Sequence, residues 1–169
     1  PFRGRQPRHH FKRRREPITL RTGAVLRNVS LMGSSHTGRG EGPGWGHSLE
    51  NMAAFFGAGA AGGVGLIVTG GIAPNAPGRV APFAATMASA SDARRHRLVT
   101  DAVHEHDGAK IAMQILHSGR YAYHPSPVAP SATQSPIGRF KPRAPPVGRI
   151  PRTIHDFIRS PAPAGDAGH

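Results

Sequence analysis

KIAMQILHSGRYAYHP, Lys110 to Pro125, is the stretch whose reading decides the fold. It opens as an apolar run, Ile111, Ala112, Met113, Ile115 and Leu116, with one amide, Gln114, in its middle. It then turns polar at His117, Ser118, Gly119 and Arg120. A short apolar run ended by a Gly-containing polar cluster predicts a buried strand leading into a loop. A buried amide without a partner costs roughly 1–3 kcal/mol, so Gln114 requires one. A neighbouring backbone group, a water, or a polar ligand lying across the strand end would each serve.

Working outward, the same alternation recurs upstream. Ser30–Ser35 is a short strand candidate closed by small polar residues. Leu49–Ala61 has helical spacing at Leu49, Met52, Ala53, Phe56 and Ala60. Gly57 and Gly59 are each expected to cost that helix about 1 kcal/mol relative to Ala. Val64–Thr69 is continuous and β-branched, as strands covered on both faces tend to be, and is expected to end at Gly70-Gly71. Ser91 or Asp92 is the expected cap of a helix over Ala93–His106. Beyond the opening stretch, residues 126–151 form a Pro-rich loop. A last helix starts near Thr153 and is expected to break at Pro161 and Pro163.

Strand, helix, strand, helix, strand predicts a parallel sheet with crossover helices. Each predicted strand ends in small or polar residues: Gly33-Ser34-Ser35-His36, Thr69-Gly70-Gly71 and His117-Ser118-Gly119-Arg120. Ligands of α/β proteins bind at the carboxyl ends of the strands, so three ends of one chemical kind point to a site.

Composition narrows the function classes. The chain has 169 residues, enough for one domain, but is only 37% apolar against a usual value of about 45–50%. Twenty-two Gly and 17 Pro make this a poor composition for a self-sufficient core. The absence of Cys excludes disulfides, zinc ribbons and iron–sulfur ligation from these residues. His104, His106, His117 and His124 are spaced too loosely for a metal site, and none is expected. About half of the net charge of +13 sits in Pro1–Glu16, which holds six Arg and one Lys against one Glu. Residues 1–16 are expected to form a basic disordered arm ahead of a domain over 17–169. Such an arm suits either a nucleic-acid tether or a solvated tail, and no recognition fold accompanies the charge. No apolar run spans a membrane and no signal-like h-region opens the chain, so a cytoplasmic protein is expected.

Four segments together carry a family resemblance: LRNVSLMGSSHTG (Leu26–Gly38), GLIVTGGIAPNAPGRVAP (Gly65–Pro82), HRLVTDAVHEHDGAKIAMQILHSGRYAYHP (His96–Pro125) and VAPSATQSPIGRFKPR (Val128–Arg143). In this order and spacing they resemble the N-terminal part of the FMN-dependent old yellow enzyme family, nearest to its bacterial 2,4-dienoyl-CoA reductase branch. The resemblance runs from about Pro17 to His169. It implies about three βα units of an FMN-binding (β/α)8 TIM barrel. It places Ser34, Ser35 and His36 in the first-strand loop that touches the flavin. Gly71 falls where backbone approaches the isoalloxazine, and Gln114 where an amide bonds the pyrimidine edge. His117 and Arg120 belong to the motif on the site face. The implied chemistry is hydride transfer from NAD(P)H through FMN to an activated alkene, such as an enone or enoyl thioester. The catalytic acid is implied to lie beyond these residues, as are the iron–sulfur cluster and FAD of longer members. The chain departs from the family pattern at Asn28-Val29-Ser30, where an Arg is lost, and at Ala58 and Gly59. With the two prolines, these departures set the expectation of an FMN-binding fragment beside that of an inactive truncated remnant.

Overall fold

The computed structural model describes residues 15–35 and 49–169. The basic arm lies almost wholly outside the described residues, and so does His36. A small antiparallel pair, β1 (Ile18–Thr19) and β2 (Val25–Leu26), precedes the main sheet. That sheet contains β3 (Leu31–Ser35), β4 (Leu66–Ile72) and β5 (Lys110–Ile115), all parallel and in the order β3-β4-β5. Helix α1 (Leu49–Ala61) lies between β3 and β4 in the chain, and α2 (Ala90–His104) between β4 and β5. Spatial order that matches chain order is the pattern of successive units of a singly wound barrel. A doubly wound sheet reverses direction instead.

Both helices cover the same face of the sheet. Ile67 of β4 and Ile111 of β5 point into a core with Leu49, Phe56 and Ala60 of α1 and Val99 and Val103 of α2. The expectation that the second strand is covered on both faces is corrected here. Along β4, Ile67 and Thr69 are buried while Leu66 and Val68 are half-exposed, so the described residues cover one face only. The strand itself is also displaced: it begins at Leu66 and runs through Gly70-Gly71 to Ile72. Glycine weakens a strand but does not end one whose ladder continues, and Gly71 and Ile72 still pair with Gln114 and Ile115.

The helix glycines have a packing reason. A Cβ on Gly59 would stand 2.8 Å from the Met32 sulfur, and one on Gly57 would stand 3.3 Å from the Ala102 carbonyl oxygen. Their cost in propensity is set against close approach of α1 to β3 and to α2. The arginine that matters at the strand bases stands before Asn28 rather than after it. Arg27 donates to the carbonyls of Ala60, of Val64 (2.7 Å) and of Asp107 (2.8 Å). One guanidinium thus ties together the last turn of α1, the entry to β4 and the turn before β5. A cation beside helix-terminal carbonyls is favourably placed.

The cap of α2 is Ser89, not Ser91 or Asp92: its hydroxyl accepts from the Asp92 N–H (3.2 Å), and Asp92 accepts from the Ala88 N–H (2.9 Å). Asp92 also accepts from the Ser89 hydroxyl (3.0 Å), and these bonds fix the cap and start the helix three residues early. The last helix also starts early. Helix α3 (Ile150–Arg159) carries Pro151 in its first turn, where a missing N–H is harmless. It stops before Pro161 as expected. The chain then restarts as α4 (Pro161–Asp166), which packs on α2 through Ala164 and Ala167. Ser160 donates to the Met87 carbonyl (2.7 Å), and Thr100 donates to that of Ala167.

Beneath this contact lie His96 and His169, rings 6.1 Å apart. No ring nitrogen of either has a hydrogen-bond partner among the described residues. Burial pushes His96 down to about 4, with Asp92 opposing and Arg95 adding. His169 is pushed down to about 4 by burial, then by His96 and His104. Both rings therefore fold as neutral groups. Below pH 6.5 the unfolded chain takes up protons that the folded chain refuses, so stability falls as pH drops from 6.5 to about 4. His96 alone accounts for on the order of 3 kcal/mol across that window. Thermal melts across it should show this loss, and His96→Leu should remove roughly half of it, leaving the share of His169. An unchanged pH slope in that variant would refute the assignment.

Candidate flavin site at the strand ends

Two of the three strands, β3 and β4, become irregular toward their carboxyl ends. Met32 pairs with Ile67, but Ser35 pairs with Thr69, so β3 carries one extra residue around Gly33-Ser34. Val68 pairs with Ala112, but Gly71 pairs with Gln114, so β4 carries one extra residue around Thr69-Gly70. Bulges of this kind re-aim side chains and are frequent beside sites. The second is held by a side chain: the Thr69 hydroxyl accepts from the Gln114 backbone N–H (3.1 Å) and donates to the Gly70 carbonyl (2.9 Å). Thr69 thereby replaces the ladder bond that the bulge removes.

The bulges bring Ser34 and Gln114 together. Ser34 is on β3 and Gln114 on β5, with β4 between them. Two strand spacings are about 10 Å, close to the summed reach of the two side chains and one hydrogen bond. The Ser34 hydroxyl donates to Gln114 Oε1 at 2.7 Å. This line crosses β4 at the level of Gly70-Gly71, where no side chain stands in the way. Gln114 lies with Ala112 on the sheet face away from the helices, by alternation from Ile111. It is half-buried rather than buried. Its amide partner is thus a serine hydroxyl, which occupies the oxygen and leaves both Nε2–H donors without a described partner.

Ser35 donates to the Gly33 carbonyl within its own strand (3.1 Å). Gly71 has a close neighbour of its own: a Cβ there would stand 2.8 Å from Cβ and Cδ2 of Leu116. His117 begins the loop after β5, half-buried, its Nδ1 accepting from the Gly119 N–H (3.1 Å). Burial lowers its pKa, His124 lowers it further, and Asp156 opposes both. Arg120 is held inside its own loop, donating to the Tyr121 hydroxyl (3.0 Å) and stacking 5.1 Å above that ring. Ser34, Gly71 and Gln114 therefore gather at one level of the sheet, whereas Arg120 turns to Tyr121. The polar strand end marked Thr69 only as one of a cluster, and no pattern in the sequence marked Leu116. The site role of Thr69 depends on a register shift, and that of Leu116 on contact with another strand. Among the described residues, no group of three His, Cys, Asp or Glu could hold a metal ion.

A model of the NADH:flavin oxidoreductase / NADH oxidase family matches residues 15–169. The chain belongs to that family. Its fold resembles that of solved members. Against morphinone reductase in complex with tetrahydroNAD the TM-score is 0.74 at 24% identity, over 92% of this chain and 47% of that one. Against the old yellow enzyme homologue from Zymomonas mobilis it is 0.71 at 25% identity, over 92% and 46%. Against 2-naphthoyl-CoA reductase in complex with 2-naphthoyl-CoA it is 0.77 at 20% identity, over 94% and 26%. The chain thus spans less than half the length of these structures, and its three parallel strands are part of a (β/α)8 barrel.

The strand ends suit a flavin. Gln114 offers two N–H donors that have no partner among the described residues, and a Cβ at Gly33 would meet nothing within 4 Å. A flat ring system with a carbonyl edge fits donors standing beside bare backbone. The glycine at 71 is required by Leu116 whatever else binds. Gly71→Ala should lower stability by about 1–3 kcal/mol in chemical denaturation, with partial recovery on adding Leu116→Ala. An unchanged midpoint for Gly71→Ala would contradict the contact.

Proposed function

We propose that these strand ends hold FMN for an oxidoreductase of the old yellow enzyme type. Gln114 carries the reading: its oxygen is taken by Ser34, so its donors face outward toward the pyrimidine edge of the ring. Ser34 is then a positioning residue acting through Gln114. Ser35 and the backbone at Gly71 flank the same level of the sheet. His36 comes directly after Ser35, and the family resemblance supports its inclusion. FMN supplies hydride transfer from NAD(P)H to an activated alkene, for which a 2,4-dienoyl-CoA or related enoyl thioester is the substrate the resemblance favours. That 2-naphthoyl-CoA reductase shares the fold and binds a CoA thioester is consistent with this choice. His117 and Arg120 are assigned to the acceptor side of the flavin.

The chain's own contribution is orientation. A fixed amide sets the ring's rotation in the plane of the sheet edge, and the glycines let it lie close to backbone. No helix among the described residues is long and apolar enough to cross a membrane. Titrating the purified chain into FMN should quench flavin fluorescence with roughly one FMN per chain, and Gln114→Leu should weaken binding about tenfold or more. Absence of saturable quenching at tens of micromolar, or full affinity in the variant, would sink the reading.

A further inference from the structure

From β5 to the first turns of α3 the chain carries no carboxylate. Residues 108–155 hold seven Lys and Arg and no Asp or Glu. Solvated surfaces usually intersperse both signs of charge, so a stretch of one sign directs its field outward and concentrates anions beside it. Arg139, Lys141 and Arg143 are all exposed on it.

Two tyrosines stand out from the same stretch. Ala122 is fully buried, while Tyr121 and Tyr123 on either side of it are 48% and 51% exposed. Their loop is pinned at both ends. The Tyr121 N–H donates to the Ser118 carbonyl (3.0 Å), and the Tyr123 N–H donates to the Val80 carbonyl of the loop after β4 (2.7 Å). Arg120 lies 5.1 Å from the centre of the Tyr121 ring and donates to its hydroxyl (3.0 Å). Guanidinium and ring are therefore set together before any ligand arrives. A second loop abuts this one. A Cβ on Gly138 would stand 3.3 Å from the Arg120 carbonyl oxygen, and Gln134 Nε2 donates to the Gly138 carbonyl (2.9 Å). The next residue on that loop is Arg139. An aromatic ring with one guanidinium against it thus has a second Arg on the adjoining loop.

We propose that Arg120, Tyr121 and Arg139 bind the adenosine diphosphate end of a nucleotide-bearing reactant. The purine stacks on Tyr121, and the phosphates meet the guanidinium groups. A purine offers its π-face to an aromatic ring, and the Arg fork matches phosphate oxygens in pairs. An apolar ligand gains nothing from the cations, and inorganic phosphate gains nothing from the ring. A CoA thioester and a nicotinamide dinucleotide both carry this moiety, at the end remote from the reacting atoms. Tyr121 stands seven residues beyond Gln114, at most about 25 Å away at full chain extension. Such a ligand would keep its nucleotide on the loop while its other end extends toward the strand ends. Assigning the moiety to the substrate or to the hydride donor rests on the flavin reading above; its binding does not.

Calorimetric titration of the full chain tests this with ADP, CoA, NADPH and pantetheine as probes. ADP should bind saturably below about 1 mM, and pantetheine, which lacks the nucleotide, about tenfold or more weakly than CoA. Tyr121→Ala should weaken ADP about 5-fold or more, and Tyr121→Phe should keep most of the affinity. Arg139→Glu should also weaken ADP, and added salt should reduce the difference. Whichever of CoA and NADPH shares the Tyr121→Ala loss is the reactant that uses the surface. No saturable ADP binding, equal affinity for CoA and pantetheine, or unaltered ADP affinity in Tyr121→Ala would overturn the proposal. So would an oligothymidylate that binds far more tightly than ADP and weakens in the same variants, since the surface would then serve single-stranded nucleic acid. If Tyr121→Ala fails to fold, Arg139→Glu decides. FMN titrated in parallel separates the two claims. ADP binding without FMN binding removes only the flavin site, and FMN binding without ADP binding removes only this surface.

Discussion

A single hydrogen bond from Ser34 to Gln114 spans the middle strand of the sheet, and it passes that strand where Gly70 and Gly71 carry no side chains. At Gly71 a Cβ would stand 2.8 Å from Leu116, so that position is held to glycine by its packing. The bulges in β3 and β4 set the two partners at one level, and Thr69 holds the second bulge by bonding the Gln114 backbone. The local irregularities are therefore parts of one device. They convert a plain parallel sheet into an edge with an oriented amide and bare backbone beside it.

The same reliance on small residues runs through the packing. Gly59 admits the Met32 sulfur and Gly57 admits the α2 backbone, so α1 sits closer to its neighbours than an alanine would allow. Gly71 admits Leu116 and Gly78 admits the His117 ring. A chain with 22 glycines and an apolar share of 37% builds its core by close approach rather than by bulk. Arg27 complements this at the other end of the sheet, where one guanidinium gathers carbonyls from three segments.

Much of the frame was legible because it rests on local periodicity. The helix over Leu49–Ala61 appears at its expected bounds because its apolar face repeats at helical spacing. The strand containing Gln114 was legible from a short apolar run with a polar end. The errors share a cause, which is that partners distant in sequence override local signals. Gly70-Gly71 reads as a strand end, yet β5 supplies a ladder that carries β4 through it. Ser91 and Asp92 read as caps, but Ser89 is the cap because its hydroxyl and Asp92 bond each other across the first turn. A helix does end ahead of Pro161, but Pro163 breaks nothing: it falls in the first turn of α4, where a missing N–H is harmless and α2 offers a surface. The serine partner of Gln114 was not readable, since it depends on two bulges.

The central claim is that Ser34 acts on a bound flavin through Gln114 and not independently. FMN dissociation constants for the unmodified chain, Ser34→Ala, Gln114→Leu and the double variant test it directly. Coupling predicts that Ser34→Ala weakens binding about 3- to 10-fold when Gln114 is present and adds nothing when Gln114 is Leu. Losses that simply add, or an unaltered affinity in Ser34→Ala, would contradict the account.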